Sequence, residues 1–194
     1  MNNQDAKKYV GGHYDLIGKK VFEFLKEEGL KPEHTLIDIG CGNFRCGRFI
    51  MEYLNTRNYD GIEKHIWLVE DGFKRLNESQ LIKEPQVKIN KNFDLDAFID
   101  GIYDFALAKS VFTHLTKPKI IQCLTNLKKV LKKDGVFYAS VFIGDSKKNP
   151  KEDDDCRKFM YSMSEIEDMA EGWNVECLGN RGCLRQIMLK FTLK

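Results

Sequence analysis

The stretch from Thr35 to Ile50, Thr-Leu-Ile-Asp-Ile-Gly-Cys-Gly-Asn-Phe-Arg-Cys-Gly-Arg-Phe-Ile, constrains the fold of this chain more than any other. Thr35 to Ile39 is a short apolar run with β-branched members, the pattern of a strand buried on both faces of a parallel sheet. Gly40 and Gly42 then allow a tight turn, and apolar residues return at helical spacing as Cys46, Phe49, Ile50, Tyr53 and Leu54. A strand that enters a glycine turn and leaves as a helix lets a ligand lie against bare backbone at the strand's carboxyl end, where open α/β sheets bind nucleotides. A dinucleotide fingerprint requires a third glycine where this chain has Arg45. Asp38, two residues before Gly40, also opposes a pyrophosphate and suits a ligand with a cationic end.

The run Asp38-Ile39-Gly40-Cys41-Gly42 resembles motif I of the class I S-adenosylmethionine-dependent methyltransferases. The resemblance implies that Gly40 and Gly42 lie against the methionine part of S-adenosylmethionine and that Asp38 helps orient it. Glu63 ends a second strand, Tyr59 to Glu63, and stands 21 positions beyond Gly42. A carboxylate at about that spacing accepts hydrogen bonds from ribose hydroxyls. A third strand, Gln86 to Asn90, is followed by Asn92-Phe93-Asp94-Leu95. There the resemblance implies that Asp94 accepts from the adenine amino group while Phe93 or Leu95 covers the ring. Asp96 or Asp100 takes that place in another register.

With 194 residues, 42% hydrophobic and 31% charged, the length and composition predict one soluble globular domain over 1–194 with a core of its own. A net charge of +2 gives no field for DNA or an anionic membrane. The six cysteines, Cys41, Cys46, Cys123, Cys156, Cys177 and Cys183, form no Cys-x-x-Cys pair, so they read as reduced thiols rather than a zinc site or disulfides. The opening residues lack the apolar core of a signal peptide, and no later run approaches membrane-spanning length, so a cytoplasmic location is expected.

Residues 1–12 are polar and read as a flexible arm. From His13 to about Glu28, Ile17, Val21, Phe22 and Leu25 recur at helical spacing, and Gly29 ends the helix. In the resembled family such a helix leans over the cofactor, so Tyr14 and the pair Gly11-Gly12 either line the site or only pack. A fourth strand runs through Tyr103 to Val111, with Lys109 and Ser110 implied to touch the cofactor through their backbone. It carries neither an Asn-Pro-Pro-Tyr nor a Pro-Cys motif, which argues against the family's DNA enzymes. His114 follows, near the start of a helix carrying Ile120, Ile121, Leu124, Leu127, Val130 and Leu131. An imidazole there either takes the proton that an acceptor loses or simply packs.

Asp134-Gly135 turns into a fifth strand, Val136 to Ile143. The polar segment 144–161 reads either as a lid over the methyl acceptor, with Phe159 and Tyr161 as its apolar contacts, or as a solvated loop. Ser162 to Gly172, which contains Ser164 before Ile166, Met169 and Ala170, reads as a short capped helix. Trp173 to Leu178 and Leu184 to Thr192 then form a terminal hairpin. The expected fold is a Rossmann-like, mostly parallel seven-stranded sheet with an antiparallel terminal hairpin and helices on both faces.

The expected function is methyl transfer from S-adenosylmethionine to an oxygen or nitrogen of a small molecule or glycan precursor, leaving S-adenosylhomocysteine. No metal is implied. A protein or RNA methyltransferase, a non-catalytic cofactor-binding subunit and an NAD-dependent oxidoreductase are the competing readings.

Overall fold

The computed structural model describes residues 3–96, 98–182 and 184–194. The chain divides into two compact units, residues 1–91 and 92–194.

The first unit opens with α1 (Asn3–Tyr9), so the stretch expected to be a flexible arm is largely helical. It continues with α2 (Tyr14–Glu27), β1 (Leu36–Ile39), α3 (Gly47–Tyr53), β2 (Tyr59–Glu63), α4 (Ile66–Phe73), α5 (Glu78–Leu81) and β3 (Gln86–Ile89). Its strands are all parallel in the order β3-β2-β1, with Leu36 opposite Tyr59 and Asp60 opposite Gln86. Every residue of β1 is buried, as its unbroken apolar run predicts. Val21, Phe24 and Leu25 form the buried stripe of α2. A side chain at Gly18 would collide with the Arg45 carbonyl, so α2 packs tightly over the segment entering α3. Phe44, held in the left-handed region, drives its ring between Tyr59 and Phe73, with the latter centroid 5.1 Å away.

The second unit contains β4 (Tyr103–Ala108), a 3-10 turn at Phe112–His114, α6 (Lys117–Val130), β5 (Leu131–Ile143), a second 3-10 turn at Ser146–Lys148, β6 (Met160–Tyr161), α7 (Met163–Met169), β7 (Trp173–Cys177) and β8 (Ile187–Leu193). β4 and β6 run parallel to β5, while β8 is antiparallel to both β5 and β7. The expected terminal hairpin is present. β5 begins five residues earlier than its apolar run suggested, because the Asp134-Gly135 turn is absorbed as an irregularity where pairing jumps from Tyr103–Leu131 to Phe105–Val136. Phe137 anchors this unit's core against Phe112, Trp173 and Phe191.

The described residues thus form eight strands, the seven expected plus the two-residue β6. The fold class is Rossmann-like α/β, mostly parallel, with antiparallel strands at the C-terminal end. Among the described residues no helix is long and apolar enough to cross a membrane. The described cysteines, Cys41, Cys46, Cys123, Cys156 and Cys177, are free thiols, and Cys183 lies outside the described residues.

Candidate active site

In the first unit the chain leaves β1 through Gly40 and Gly42, both with positive φ, at 68° and 57°. The Gly40 amide donates to the Ile62 carbonyl at 2.8 Å, which ties the turn to the end of β2. The Gly42 amide donates to Glu63 Oε2 at 3.0 Å, and Glu63 Oε1 accepts from the amides of Lys64 and His65 at 2.8 and 3.0 Å. A carboxylate has about four acceptor positions, so one carboxylate fixed by three amides retains a lone pair for a further donor. Ribose hydroxyls are such donors, and the negative charge opposes a phosphate in the same place.

Asp38 lies deeper. It is only 3% exposed and accepts from Tyr59 Oη at 2.9 Å. Burial pushes its carboxyl up to about 7, with the nearby Glu63 charge adding to the rise and the Tyr59 bond and Arg45 opposing it. Asp38 is therefore enclosed within the unit rather than open to solvent. Gly47 is required beside it, since a Cβ there would come within 2.2 Å of Tyr59 Oη.

Two residues that sequence reasoning did not single out complete this region. Arg45, 7% exposed, donates through Nη1 to the Val10 carbonyl while its Nε has no hydrogen-bond partner. Val10 itself lies against the turn, its Cγ1 3.3 Å from where a Gly42 Cβ would stand. The end of α1 thus covers the glycine turn, and Tyr9 fastens it by hydrogen-bonding His65 Nε2 at 3.0 Å and meeting Trp67 edge-on. Tyr14 packs with the turn by donating to the Asn43 carbonyl at 2.5 Å. Burial raises its hydroxyl to about 12. An arginine in the very place of the expected third glycine was the available signal.

In the second unit Phe93 and Leu95 are buried, while Asp94 is exposed and accepts from the Asp96 amide at 3.0 Å. Asn126 of α6 holds the Phe93 carbonyl at 2.7 Å. Lys109 follows β4 and is 8% exposed; its Nζ donates to Ser110 Oγ at 3.0 Å, to Gln186 Oε1, and to Ser140 Oγ at 3.5 Å. β4 ends at Ala108, before the expected Val111, because Ser110 turns into the left-handed region at φ 62°.

His114 lies in the 3-10 turn before α6, with Nδ1 3.2 Å from the Asp154 carbonyl and 2.9 Å from the Arg157 carbonyl. Carbonyls only accept, so Nδ1 carries a proton, and Nε2 is the nitrogen that holds the lone pair whenever the ring is neutral. The same loop is fastened elsewhere. The amides of Asp154 and Phe159 donate to the carbonyls of His114 and Thr113 at 3.1 and 2.9 Å. Asp153 Oδ1 accepts from the Thr116 amide and hydroxyl, and Tyr161 Oη donates to the Leu115 carbonyl at 2.7 Å. Phe159 and Tyr161 are buried, so these aromatics pin the 144–161 segment to its own unit. Among the described residues no group of His, Cys, Asp and Glu side chains is disposed to hold a metal.

Parallel strands of which the first ends in a glycine turn bound to a carboxylate from the next, and an antiparallel C-terminal pair in the second unit, are features of the class I S-adenosylmethionine-dependent methyltransferases. The family profile of tellurite resistance protein TehB matches residues 5–184, and the chain belongs to that family. Solved structures repeat the fold. A SAM-dependent methyltransferase from Aquifex aeolicus superposes with a TM-score of 0.71 at 18% identity over 98% of this chain and 97% of its own. A TehB-like SAM-dependent methyltransferase from Corynebacterium glutamicum gives 0.68 at 15% identity over 98% and 94%. Magnesium protoporphyrin IX methyltransferase from Synechocystis, solved with bound SAM, gives 0.66 at 14% identity over 99% and 84%.

Proposed function

We propose that this protein moves a methyl group from S-adenosylmethionine to an oxygen or nitrogen of a small molecule or glycan precursor, and that residues 1–194 work as one methyltransferase domain in the cytoplasm. The observation that carries the reading is the Gly42 amide bound to the Glu63 carboxylate at the carboxyl ends of β1 and β2. The near-neutral net charge of +2 and the small-molecule substrate in the name of the magnesium protoporphyrin neighbour support a small acceptor.

S-adenosylmethionine supplies a methyl group on a sulfonium, which is already a good leaving group. The chain's residues therefore hold, orient and desolvate more than they activate. Gly40 and Gly42 offer bare backbone to the methionine part, with Asp38 below them biasing the site toward positive charge. Glu63 accepts from the ribose hydroxyls. Asp94 receives the adenine amino group beside Phe93 and Leu95, and the Lys109 backbone borders the cofactor. His114 Nε2 takes the proton that a hydroxyl acceptor, or an amine acceptor on being methylated, gives up, its tautomer fixed by the two carbonyls at Nδ1.

The test is transfer of labelled methyl from S-adenosylmethionine into extracts of the source cell, separated by size. Label in the small-molecule fraction is expected. Label confined to protein or RNA, or no transfer by a chain that binds cofactor, would contradict the reading.

A further inference from the structure

Gln186 stands immediately before β8, and Val141 of β5 pairs with Ile187, so Gln186 lies beside the carboxyl end of β5. Lys109 and Ser110 follow the carboxyl end of β4, which runs parallel to β5. Ligands of open α/β sheets bind outside those ends. Ser140 Oγ accepts from the Ser110 amide at 2.7 Å and from Lys109 Nζ at 3.5 Å. Ser110 Oγ donates to Gln186 Oε1 at 3.1 Å, and Lys109 Nζ donates to the same oxygen.

This arrangement fixes which end of the amide points inward. An ammonium has donors and no acceptor, so the Gln186 atom against Lys109 is the oxygen. The Nε2 group is thereby turned away from the cluster, and among the described residues it has no hydrogen-bond partner. A half-buried amide donor is thus held in one orientation by a buried cation. A charge in so dry a place acts strongly on an anion bound next to it, and the exposed Arg185 precedes Gln186.

We propose that Lys109, Ser110, Ser140 and Gln186 form the site that selects the methyl acceptor, and that the acceptor is a small molecule carrying a carboxylate which takes a hydrogen bond from Gln186 Nε2. The proposal rests on the methyltransferase reading and adds the substrate's chemical class. Ser140 and Lys109 hold Ser110 and the Gln186 oxygen, so Gln186 is the residue that touches the acceptor. Lys109 acts as its positioning residue and as the source of positive potential.

The experiment uses the full chain with S-adenosylhomocysteine added and follows side-chain amide signals by NMR, the Gln186 pair being assigned by its loss in Gln186→Ala. Benzoate is the carboxylate probe and benzyl alcohol its uncharged counterpart. Benzoate is expected to shift the Gln186 pair saturably, with benzyl alcohol binding roughly tenfold more weakly or less well still. Gln186→Glu replaces the donor with a carboxylate and is expected to weaken benzoate by roughly tenfold or more, read from probe-side saturation transfer. Lys109→Met is expected to weaken it similarly, with Lys109→Arg restoring part of the affinity. An unmoved Gln186 pair, equal affinity for the two probes, or full benzoate binding by Gln186→Glu overturns the proposal. Where S-adenosylhomocysteine binds normally in those samples, only the acceptor assignment falls; where it fails to bind the unaltered chain, the methyltransferase reading falls and takes this proposal with it.

Discussion

The glycine turn of the first unit and the Lys109 cluster of the second are built in opposite ways. The turn is built from backbone: two glycines at positive φ, amides directed at one carboxylate, and contacts between neighbouring strands. The Lys109 cluster is built from side chains drawn from distant places, Lys109 and Gln186 being 77 positions apart. Backbone presented by a tight turn tolerates little substitution at its glycines and little variety in its ligand. A site assembled from long side chains changes its ligand by single replacements. On the proposed reading, the turn serves the methionine and ribose of the cofactor, and the Lys109 side-chain cluster serves the acceptor.

The largest expected effect on stability falls on the turn. Gly47→Ala puts a methyl where Tyr59 Oη already stands, and overpacking of that kind costs about 1–3 kcal/mol. Tyr59→Phe in the same chain removes the colliding oxygen and should recover much of the loss in thermal unfolding. Gly42→Val forces a β-branched residue to φ 57° against Val10. Strain of roughly 1–3 kcal/mol there predicts about tenfold to hundredfold weaker S-adenosylhomocysteine binding by calorimetry.

His114 separates the two modes of construction, because it combines a tethering donor with a free lone pair. His114→Asn retains an amide donor for the carbonyls of Asp154 and Arg157 but removes the base. Turnover should fall by roughly 10²–10⁴ with cofactor affinity unchanged. His114→Phe removes both, and the Asp154 and Phe159 amides should also exchange faster with deuterium. Unchanged turnover in His114→Asn would leave the residue as a tether alone.

Asp38 gives a pH signature that belongs to the turn only. Its carboxyl is raised to about 7, so between about 4 and 7 the folded chain holds a proton that the unfolded chain has released. Stability is then lost as pH rises through that window, by at most about 1.4 kcal/mol per unit, and Asp38→Asn should flatten the slope of unfolding free energy against pH. Because a cationic ligand favours the ionised carboxylate, S-adenosylmethionine should bind more tightly at pH 8 than at pH 6 to the unaltered chain and lose that gain in Asp38→Asn. The smallest effect is expected at Ser162, whose side chain caps α7 through the Glu165 amide: Ser162→Ala should cost about 1 kcal/mol and leave binding alone.

What could be read from sequence follows the same division. β1, the glycine turn, β2 and its terminal Glu63 are local patterns, and each stands where its spacing placed it. α1 was not legible, because a polar heptad carries no apolar period and is held by Tyr9 on His65 and Trp67 and by Val10 on Gly42. Gln186 and Ser140 gave no signal for the same reason: their partners are fixed by strand pairing rather than by neighbours in the chain. Within the capped helix expected over Ser162 to Gly172, the residue that forms the reciprocal pair with Glu165 is Ser162 and not Ser164. Phe159 and Tyr161 were recognised as apolar, but whether they face an acceptor or the core depends on β6, a pairing too short to leave a sequence pattern.

Calorimetric titration of the unaltered chain and Glu63→Gln with S-adenosylhomocysteine and, separately, NADH tests the central claim most directly. The account predicts one-to-one binding of S-adenosylhomocysteine, none of NADH, and roughly tenfold to hundredfold weaker binding by Glu63→Gln, the cost of losing a charged hydrogen-bond acceptor. Binding of NADH in its place, or an affinity for S-adenosylhomocysteine that Glu63→Gln leaves unaltered, would contradict it.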